Sequence, residues 1–259
     1  MNGRSTAPSG YRNFRHSSLS VAAATVGGVG SLVVPDALRP WVAGIDMTAA
    51  VGAAAVDVPD HATTLVVRTA PGAGREVVVM GPRTRAAYHV SEPGPSCVRI
   101  RMRPGRARDL LGRPVRDLAD RAVPVHELPG LDLDRLVDDP IGTLTATLAG
   151  RPVGDDLVAM AAELLSGSNV AGTAARLHVS ERRLRTLFAD GVGLSPKHFA
   201  RIGRVRRVLA TASDLRWAEV AAAAGYYDQS HMTAEFRQVM GVPPAAYAAG
   251  RRPAARPCG

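Results

Sequence analysis

Two groups of polar side chains near the C-terminal end of the chain have the chemistry needed to bond the edges of nucleic-acid bases. Arginine can hydrogen-bond O6 and N7 of guanine together, and glutamine can bond N6 and N7 of adenine in the same way. Each such pair discriminates against a wrong base by about 1–3 kcal/mol. The first group comprises Arg182, Arg185 and Thr186, and the second comprises Gln229, Ser230, His231 and Thr233.

The first group lies in a pattern of two short helices joined by a tight turn, over residues 170–189. Apolar residues recur there at helical spacing, which predicts the inner faces of both helices. Ser180 precedes the second helix and is predicted to cap its amino end. Arg182, Arg185 and Thr186 then lie on the side of that helix opposite to its apolar face.

The second group lies in a similar pattern over residues 217–239. An alanine-rich helix there runs up to Gly225, where glycine suits a left-handed backbone conformation. Asp228 is predicted to cap the next helix, and it follows Ser180 by 48 positions. The polar residues from Gln229 onward are therefore expected at the exposed amino end of that helix.

Two helices joined by a tight turn, the second beginning with polar side chains, can place a recognition helix in the major groove of DNA. A plain helical bundle could show one such pattern. Two of them, joined by an arginine-rich segment, favour double-stranded DNA as the partner. The predicted DNA-contacting residues are Ser180, Arg182, Arg183, Arg185, Thr186, Gln229, Ser230, His231, Thr233 and Arg237.

Phosphate contacts are predicted within this set as well as base contacts. Arg183 and Arg237 are assigned to phosphates. Ser230 and Thr233 suit a phosphate or a less selective base contact. His231 could touch a base or a phosphate, or could simply be solvated.

A linker helix is predicted between the two patterns. Ser195 and Pro196 suit its first turn, and apolar residues continue at helical spacing from there to Leu209. Fifteen helical residues span roughly 22 Å, so recognition helices at each end could reach major-groove segments roughly 34 Å apart. Glycine costs about 1 kcal/mol relative to alanine inside a helix, and we therefore expect Gly203 to loosen this one.

Positive charge is concentrated in the same part of the chain. The formal net charge of the 259 residues is +9, and residues 166–259 carry +8 of it, from 14 basic and 6 acidic side chains. Residues 1–165 carry +1, from 18 basic and 17 acidic side chains. A nearly neutral part joined to a basic one indicates that the second part meets a polyanion.

Residues from about 155 to 249 resemble the DNA-binding domain of the AraC/XylS family of bacterial transcription regulators. The densest likeness is AAGYYDQSHMTAEFRQVMGVPPAAY, and SERRLRTLFADGVGLSPKHF is similar to the family's first recognition helix and the start of its linker. The resemblance implies an all-α domain with two helix-turn-helix motifs. It implies an activator or a repressor of transcription, and it leaves contact with RNA polymerase open.

The first half of the chain is predicted to form a small β-barrel or sandwich with a helical tail, so the expected fold class is α+β. Val98, Ile100 and Met102 alternate with arginines, as in a half-buried strand. Valine-rich runs separated by turns predict strands at 63–68, 75–80, 86–90 and 97–102. Helices are predicted at 106–111, at 131–148 with an interruption near Pro140, and at 155–165.

This half resembles an N-terminal domain found in some actinobacterial AraC-like regulators. The likeness is carried by GPRTRAAYHV and by RIRMRPGRARDLLGRPVRDLADRAVPVHEL, whereas the stretch from Pro59 to Leu65 departs from the usual pattern. The resemblance implies a cupin-like domain that binds a small-molecule effector, forms a homodimer, or does both. It does not name the ligand.

A metal-binding or catalytic N-terminal domain is the alternative from a different class. A cupin metal site needs clustered histidines and carboxylates, and His61 and His89 could converge from neighbouring strands. The sequence has no H-x-H pair, C-x-x-C motif, phosphate-binding loop or nucleophile elbow. We therefore expect no enzyme activity, catalytic residue, metal or cofactor, and keep a DNA-tethered cupin-like metal site or enzyme as the second hypothesis.

The predicted organisation is a flexible tail at 1–20, a cupin-like effector or dimerisation domain at 21–150, the DNA-binding domain at 151–249 and a basic flexible tail at 250–259. The apolar stretch from Val21 to Val34 is too short and too glycine-broken to span a membrane, and it makes a poor signal peptide. We expect a cytoplasmic protein that is associated with the nucleoid through DNA and has no membrane partner.

Overall fold

The computed structural model describes residues 25–26, 29–49, 54–70, 74–90, 96–125, 132–153, 157–211 and 216–257. The predicted tail at 1–20 lies outside these residues. Strands occupy the first half of the described chain and helices most of the rest, which confirms the predicted α+β class.

Seven strands form one antiparallel sheet. They are β1 Thr25–Val26, β2 Val29–Leu32, β3 Val42–Ala49, β5 Thr64–Ala70, β6 Gly74–Met80, β8 Ser96–Met102 and β9 Ala122–Pro124, in the order β1-β2-β3-β8-β5-β6-β9. A second sheet contains β4 Ala54–Asp57, β7 Ala87–Val90 and β10 Arg256–Pro257, in the order β10-β7-β4. Across the described residues the strands close no barrel, so the barrel form of the prediction is not observed.

The helices follow the strands in the chain. They are α1 Arg106–Leu111, α2 Leu133–Asp138, α3 Pro140–Leu148, α4 Leu157–Leu164, α5 Val170–Arg176, α6 Glu181–Gly191, α7 Pro196–Thr211, α8 Trp217–Ala223, α9 Gln229–Met240 and α10 Pro244–Ala248. The predicted interruption near Pro140 separates α2 from α3. Asp139 accepts a 2.8 Å hydrogen bond from the backbone N–H of Gly142 and so caps α3 directly behind Pro140. No described helix is long and apolar enough to cross a membrane.

Strand β8 shows why the alternating pattern predicts a strand with one buried face. Ile100 and Met102 are almost fully buried, because they lie on the face that packs against α1 and the segment around Trp41. Arg99 and Arg101 lie on the other face and pair with acidic residues there. The period-two pattern therefore sorts apolar side chains into the core and charged ones out of it.

Buried apolar side chains form three clusters. The first lies between one face of the seven-stranded sheet and helices α1 to α3. The second joins α4, α5, α6 and the first half of α7, with Phe188 fully buried. The third joins the second half of α7 to α8 and α9. Val56 on β4 and Ala86 just before β7 pack against this cluster. That sheet therefore contacts the C-terminal helices.

Candidate nucleic-acid interface

Helices α5 and α6 form the first predicted helix-turn-helix. His178 lies in the turn between them with φ +52°, in the left-handed region, which allows the chain to reverse within a few residues. Ser180 Oγ accepts a 3.1 Å hydrogen bond from the backbone N–H of Arg183, which confirms the predicted cap. A capped amino end fixes where α6 begins and therefore which side chains its first turns present.

Helix α6 buries one face and exposes the other as predicted. Leu184 and Phe188 are fully buried, whereas Arg182, Arg183, Arg185 and Thr186 are exposed. Two of the exposed groups also have partners within the helix. The guanidinium of Arg185 pairs with Glu181, and the Thr186 hydroxyl donates to the carbonyl oxygen of Arg182 at 3.2 Å. Arg182 and Arg183 are also exposed, and neither takes part in the ion pair between Arg185 and Glu181.

Helices α8 and α9 form the second helix-turn-helix. Gly225 has φ +83°, which confirms the predicted left-handed turn. Asp228 Oδ1 accepts a 2.7 Å hydrogen bond from the backbone N–H of His231 and caps α9, also as predicted. On α9 the residues Gln229, Ser230, His231 and Arg237 are exposed and Thr233 is half-buried.

Helix α7 joins the two motifs as one continuous helix of 16 residues, which corresponds to roughly 24 Å. It passes through Gly203 without a break. Its buried residues contribute to two clusters, since Ile202 packs with α6 and Val205 packs with α8 and α9. The linker helix is therefore part of the core of both motifs.

A buried carboxylate fixes α7 to α9. Glu235 is only 7% exposed, and it accepts hydrogen bonds of 3.0 and 2.8 Å from Arg204. The Nε atom of Arg201 lies 3.4 Å from the same carboxylate. The guanidinium of Arg204 also lies 5.3 Å from the ring centre of Tyr226, a cation–π contact. Burial, together with the nearby charge of Glu235, raises the pKa of Tyr226.

The linker arginines are half-buried and bond to other parts of the protein, although their positions off the apolar stripe of α7 suggest a solvated surface. Arg207 donates to the carbonyl oxygen of Ala224 at 3.1 Å, at the end of α8. Arg206 donates to the carbonyl oxygen of Pro59 at 3.2 Å. A signal for this arrangement exists in the sequence, because Glu235 stands on the apolar stripe of α9, where an unpaired charge would be costly.

The N-terminal part meets the linker helix around Asp60 and His61. Asp60 accepts hydrogen bonds of 2.8 and 2.6 Å from Arg101 and lies 3.5 Å from Arg206. The His61 ring stacks on Phe199 of α7, with 4.3 Å between ring centres. Although burial opposes its ionisation, Asp60 has a pKa lowered to about 2 by the hydrogen bonds and charges of these arginines. Burial lowers the pKa of His61 to about 4.

Metal ligands do not gather in the described part of the chain. No group of three or more histidine, cysteine, aspartate or glutamate side chains there could hold a metal ion. His61 lies against Phe199, and His89 lies on β7 beside Ala55 and Arg256.

A family profile described as a helix-turn-helix domain matches residues 173–250. The DNA-binding domain of the transcription factor AdpA, solved in complex with a target DNA, is 31% identical to this chain. The similarity covers 38% of this chain and 93% of that domain, with a TM-score of 0.34. The chain belongs to the AraC family of transcription regulators. The family assignment confirms the resemblance to AraC/XylS regulators that the two sequence motifs indicate.

Other AraC-type proteins are similar at lower identity. The C-terminal domain of AraT, a response regulator from Geobacillus stearothermophilus, is 24% identical over 39% of this chain and 89% of its own, with a TM-score of 0.35. ToxT from Vibrio cholerae is 9% identical over 78% of this chain and 97% of its own, with a TM-score of 0.40. No curated protein matches the chain.

One exposed aromatic residue beside α9 was not identified by the sequence analysis. Tyr227 is 94% exposed and stands immediately before the Asp228 cap of α9. The sequence places it beside Tyr226, which is buried, and gives no direct sign of which tyrosine faces outward. The two tyrosines lie in the turn between Gly225, with its positive φ, and the cap at Asp228. In this turn the ring of Tyr226 is buried and the ring of Tyr227 is exposed.

Proposed function

We propose that this AraC-family chain is a sequence-specific regulator that reads two successive major-groove segments of double-stranded DNA with α6 and α9. The main support is the arrangement of the helices. The capped helices α6 and α9 have exposed polar amino ends, and α7, which is packed into the core of both motifs, joins them. Such a connection supports a fixed spacing between the two readers. Because α6 and α9 differ in sequence, the target site should be asymmetric.

Individual roles follow from the chemistry of the exposed residues. We assign base contacts to Arg182 and Gln229, the first for guanine and the second for adenine. We also assign base contacts to Arg185 and Thr186. To reach a base, Arg185 must release Glu181 and Thr186 must release the carbonyl oxygen of Arg182.

The other exposed residues suit the DNA backbone. Arg183 and Arg237 are assigned to phosphates, and Ser180 acts first as the cap of α6. Tyr227 is added as a phosphate or sugar contact, because a tyrosine hydroxyl can donate to a phosphate oxygen. Ser230, His231 and Thr233 retain their assignments to a phosphate or a less selective base contact.

We further propose the domain division at 21–150 and 151–249, with the N-terminal domain sensing an effector or dimerising. The contacts of Asp60 and His61 with α7 support communication between the two domains, because α7 is buried in both helix-turn-helix motifs. The role is regulatory rather than enzymatic, and it would be exercised on DNA in the cytoplasm. Contact with RNA polymerase would be needed only if the protein activates transcription.

The decisive experiment is selection of genomic fragments by the purified full chain, with bound sequences read out at about physiological salt. We expect enrichment of an asymmetric motif with two short blocks about one helical turn apart. Binding that is equally strong to random DNA, with no enriched motif, would contradict sequence-specific regulation. A variant with Arg182→Ala and Gln229→Ala is the matched control, and it should enrich neither block.

A further inference from the structure

The first residue of helix α6 is acidic, although this helix belongs to the basic half of the chain. Glu181 directly follows the Ser180 cap, and its side chain is 43% exposed. Its carboxylate pairs with the guanidinium of Arg185, one turn further along the helix. The two side chains therefore lie on one face of α6, and this is a face to which we assign base contacts.

The other acidic side chains of the two recognition helices are used within the protein. Asp190, near the end of α6, pairs with Arg116 of the N-terminal part. Glu235 on α9 is buried, and Asp228 caps the amino end of α9. Glu181 is therefore the acidic side chain of α6 and α9 that DNA at their exposed amino ends would meet.

Glu181 contributes little to the stability of α6. A negative charge at the amino end favours a helix, but Ser180 already supplies the cap. Both side chains of the pair between Glu181 and Arg185 are exposed, and such pairs contribute little in water. On DNA the carboxylate would face phosphates of like charge, so a purely structural role would oppose the binding that α6 provides.

The partner of Glu181 must change when DNA binds. Because Arg185 has to release Glu181 to reach a guanine, the carboxylate then needs another donor. A carboxylate only accepts hydrogen bonds, and the donors on the major-groove edges of the bases are the amino groups of cytosine and adenine. Guanine and thymine present only acceptors as polar groups there, and these would repel the carboxylate.

Cytosine suits this carboxylate better than adenine does. The N4 amino group is the polar group that cytosine places in the major groove, whereas adenine places the acceptor N7 beside its amino group. Four helical residues rise about 6 Å, and one base-pair step rises about 3.4 Å. Glu181 and Arg185 can therefore reach base pairs that lie within two steps of each other.

We propose that Glu181 determines specificity in the first DNA block by accepting a hydrogen bond from the N4 amino group of a cytosine. This cytosine lies within two steps of the guanine bound by Arg185. Where no amino group is present, the carboxylate either retains Arg185 or stays unpaired among acceptors and phosphates, so it also weakens binding to random DNA. The inference deepens the proposed function and rests on it, because α6 must enter the major groove.

Selection from a random library of double-stranded DNA tests the proposal with the natural full chain, Arg185→Ala and Glu181→Ala. Arg185→Ala identifies the guanine, as the position in the first block whose preference is lost. Glu181→Ala should abolish a preference for cytosine within two steps of that guanine and leave the second block unchanged. Exchange of that cytosine for thymine should weaken binding by the natural chain at least about fivefold, and binding by Glu181→Ala less than about twofold.

Affinity for random DNA is a second readout, which loss of a merely structural residue would not increase. Glu181→Ala and Glu181→Gln both remove the negative charge, and each should bind random DNA at least about twofold more tightly than the natural chain. Glu163→Ala removes the charge of an exposed glutamate on α4, outside both helix-turn-helix motifs, and should change neither readout. Thermal unfolding verifies that each variant folds.

The assignment is wrong if Glu181→Ala enriches the same motif as the natural chain, if the preference it loses is for a base other than cytosine, or if it binds random DNA no more tightly. Equal losses of affinity for specific and random DNA in a folded variant would show that Glu181 only supports the helix. A natural chain that enriches no motif would reject the proposed regulator itself. A motif that Glu181→Ala leaves unchanged would reject only the role of Glu181.

Discussion

Arg204 holds the carboxylate of Glu235 with two hydrogen bonds, 3.0 and 2.8 Å long, and so fixes the linker helix against the second recognition helix. The two residues are 31 positions apart in the chain. Their pairing, with Arg201 on the same carboxylate, gives the second helix-turn-helix a defined position relative to α7. A fixed position is what a protein needs if two helices are to enter two grooves together.

Removing the carboxylate of Glu235 should destabilise the C-terminal helices. Glu235→Ala leaves Arg201 and Arg204 without their partner, and we expect a loss of about 2–4 kcal/mol. This is somewhat below the usual cost of breaking a buried pair, because both arginines keep some contact with water. Denaturant unfolding measures the change. Asp36→Asn, which breaks an exposed pair with Arg39, is the control and should cost less than about 1 kcal/mol.

Base readout predicts that Arg182→Ala and Gln229→Ala each relax the preference at one block of the DNA site. Each should cost about 1–3 kcal/mol on the specific sequence and much less on random DNA. Binding titrations on both kinds of DNA measure this difference. Arg135→Ala, which removes a charge on α2 outside both helix-turn-helix motifs, should leave both affinities unchanged. An equal loss on specific and random DNA would reassign these residues to phosphates.

Phosphate contacts predict a different signature for Arg183 and Arg237. Each neutralised phosphate contributes about −0.9 to the slope of log affinity against log salt. Arg183→Ala and Arg237→Ala should therefore each reduce the magnitude of that slope by about 1 and preserve the sequence preference. A flat salt response of the natural chain would contradict the role assigned to its basic half.

The neutral, buried His61 predicts that the fold loses stability in mild acid. Its pKa falls from 6.5 in the unfolded chain to about 4 in the folded one, so the unfolded state takes up the proton first as the pH falls. The contribution of His61 to the free energy of unfolding is therefore fully present above pH 6.5. It is lost as the pH falls toward 4, by at most roughly 3 kcal/mol. Asp60, with its pKa lowered to about 2, extends the loss below pH 4.

The measurement is the free energy of unfolding of the natural chain and of His61→Gln between pH 7 and pH 4. Glutamine cannot titrate, so the variant should be less stable at pH 7 but show a flatter pH dependence. His231→Gln makes the same change at an exposed histidine and serves as the control for the substitution itself. Parallel curves for the natural chain and His61→Gln would show that His61 does not cause the acid loss.

Gly203 in α7 and Gly225 in the turn after α8 should respond to alanine in opposite directions. Gly203→Ala should stabilise the chain by up to about 1 kcal/mol, because a Cβ atom there meets open space within a helix. Gly225→Ala should destabilise it by roughly 1–2 kcal/mol, because φ +83° lies in the left-handed region. Thermal unfolding of both variants makes the comparison. A destabilising Gly203→Ala would indicate that the space around Gly203 is less open than the structure shows.

Local patterns in the sequence were sufficient for the helix-turn-helix motifs. Ser180, Gly225 and Asp228 mark helix ends through their own hydrogen bonding and backbone freedom, and these preferences act over three or four residues. The alternation from Val98 to Met102 likewise predicts a half-buried strand, because its period is a property of a single strand. Strands β1 to β4, β9 and β10 were not individually predicted, since their short or mixed runs lack a clear period.

Tertiary structure alone decided which distant residues meet. Whether Glu235 would pair with Arg204, or Asp60 with Arg101 and Arg206, depends on how separate elements pack, and burial then makes each pairing obligatory. The open space beside Gly203 also arises only when α4, α7 and the end of β8 come together. The sequence by itself therefore determined the local elements and the family, because these depend on neighbouring residues. The linkage between the N-terminal part and the DNA-binding helices depends on long-range contacts, and only the folded chain reveals it.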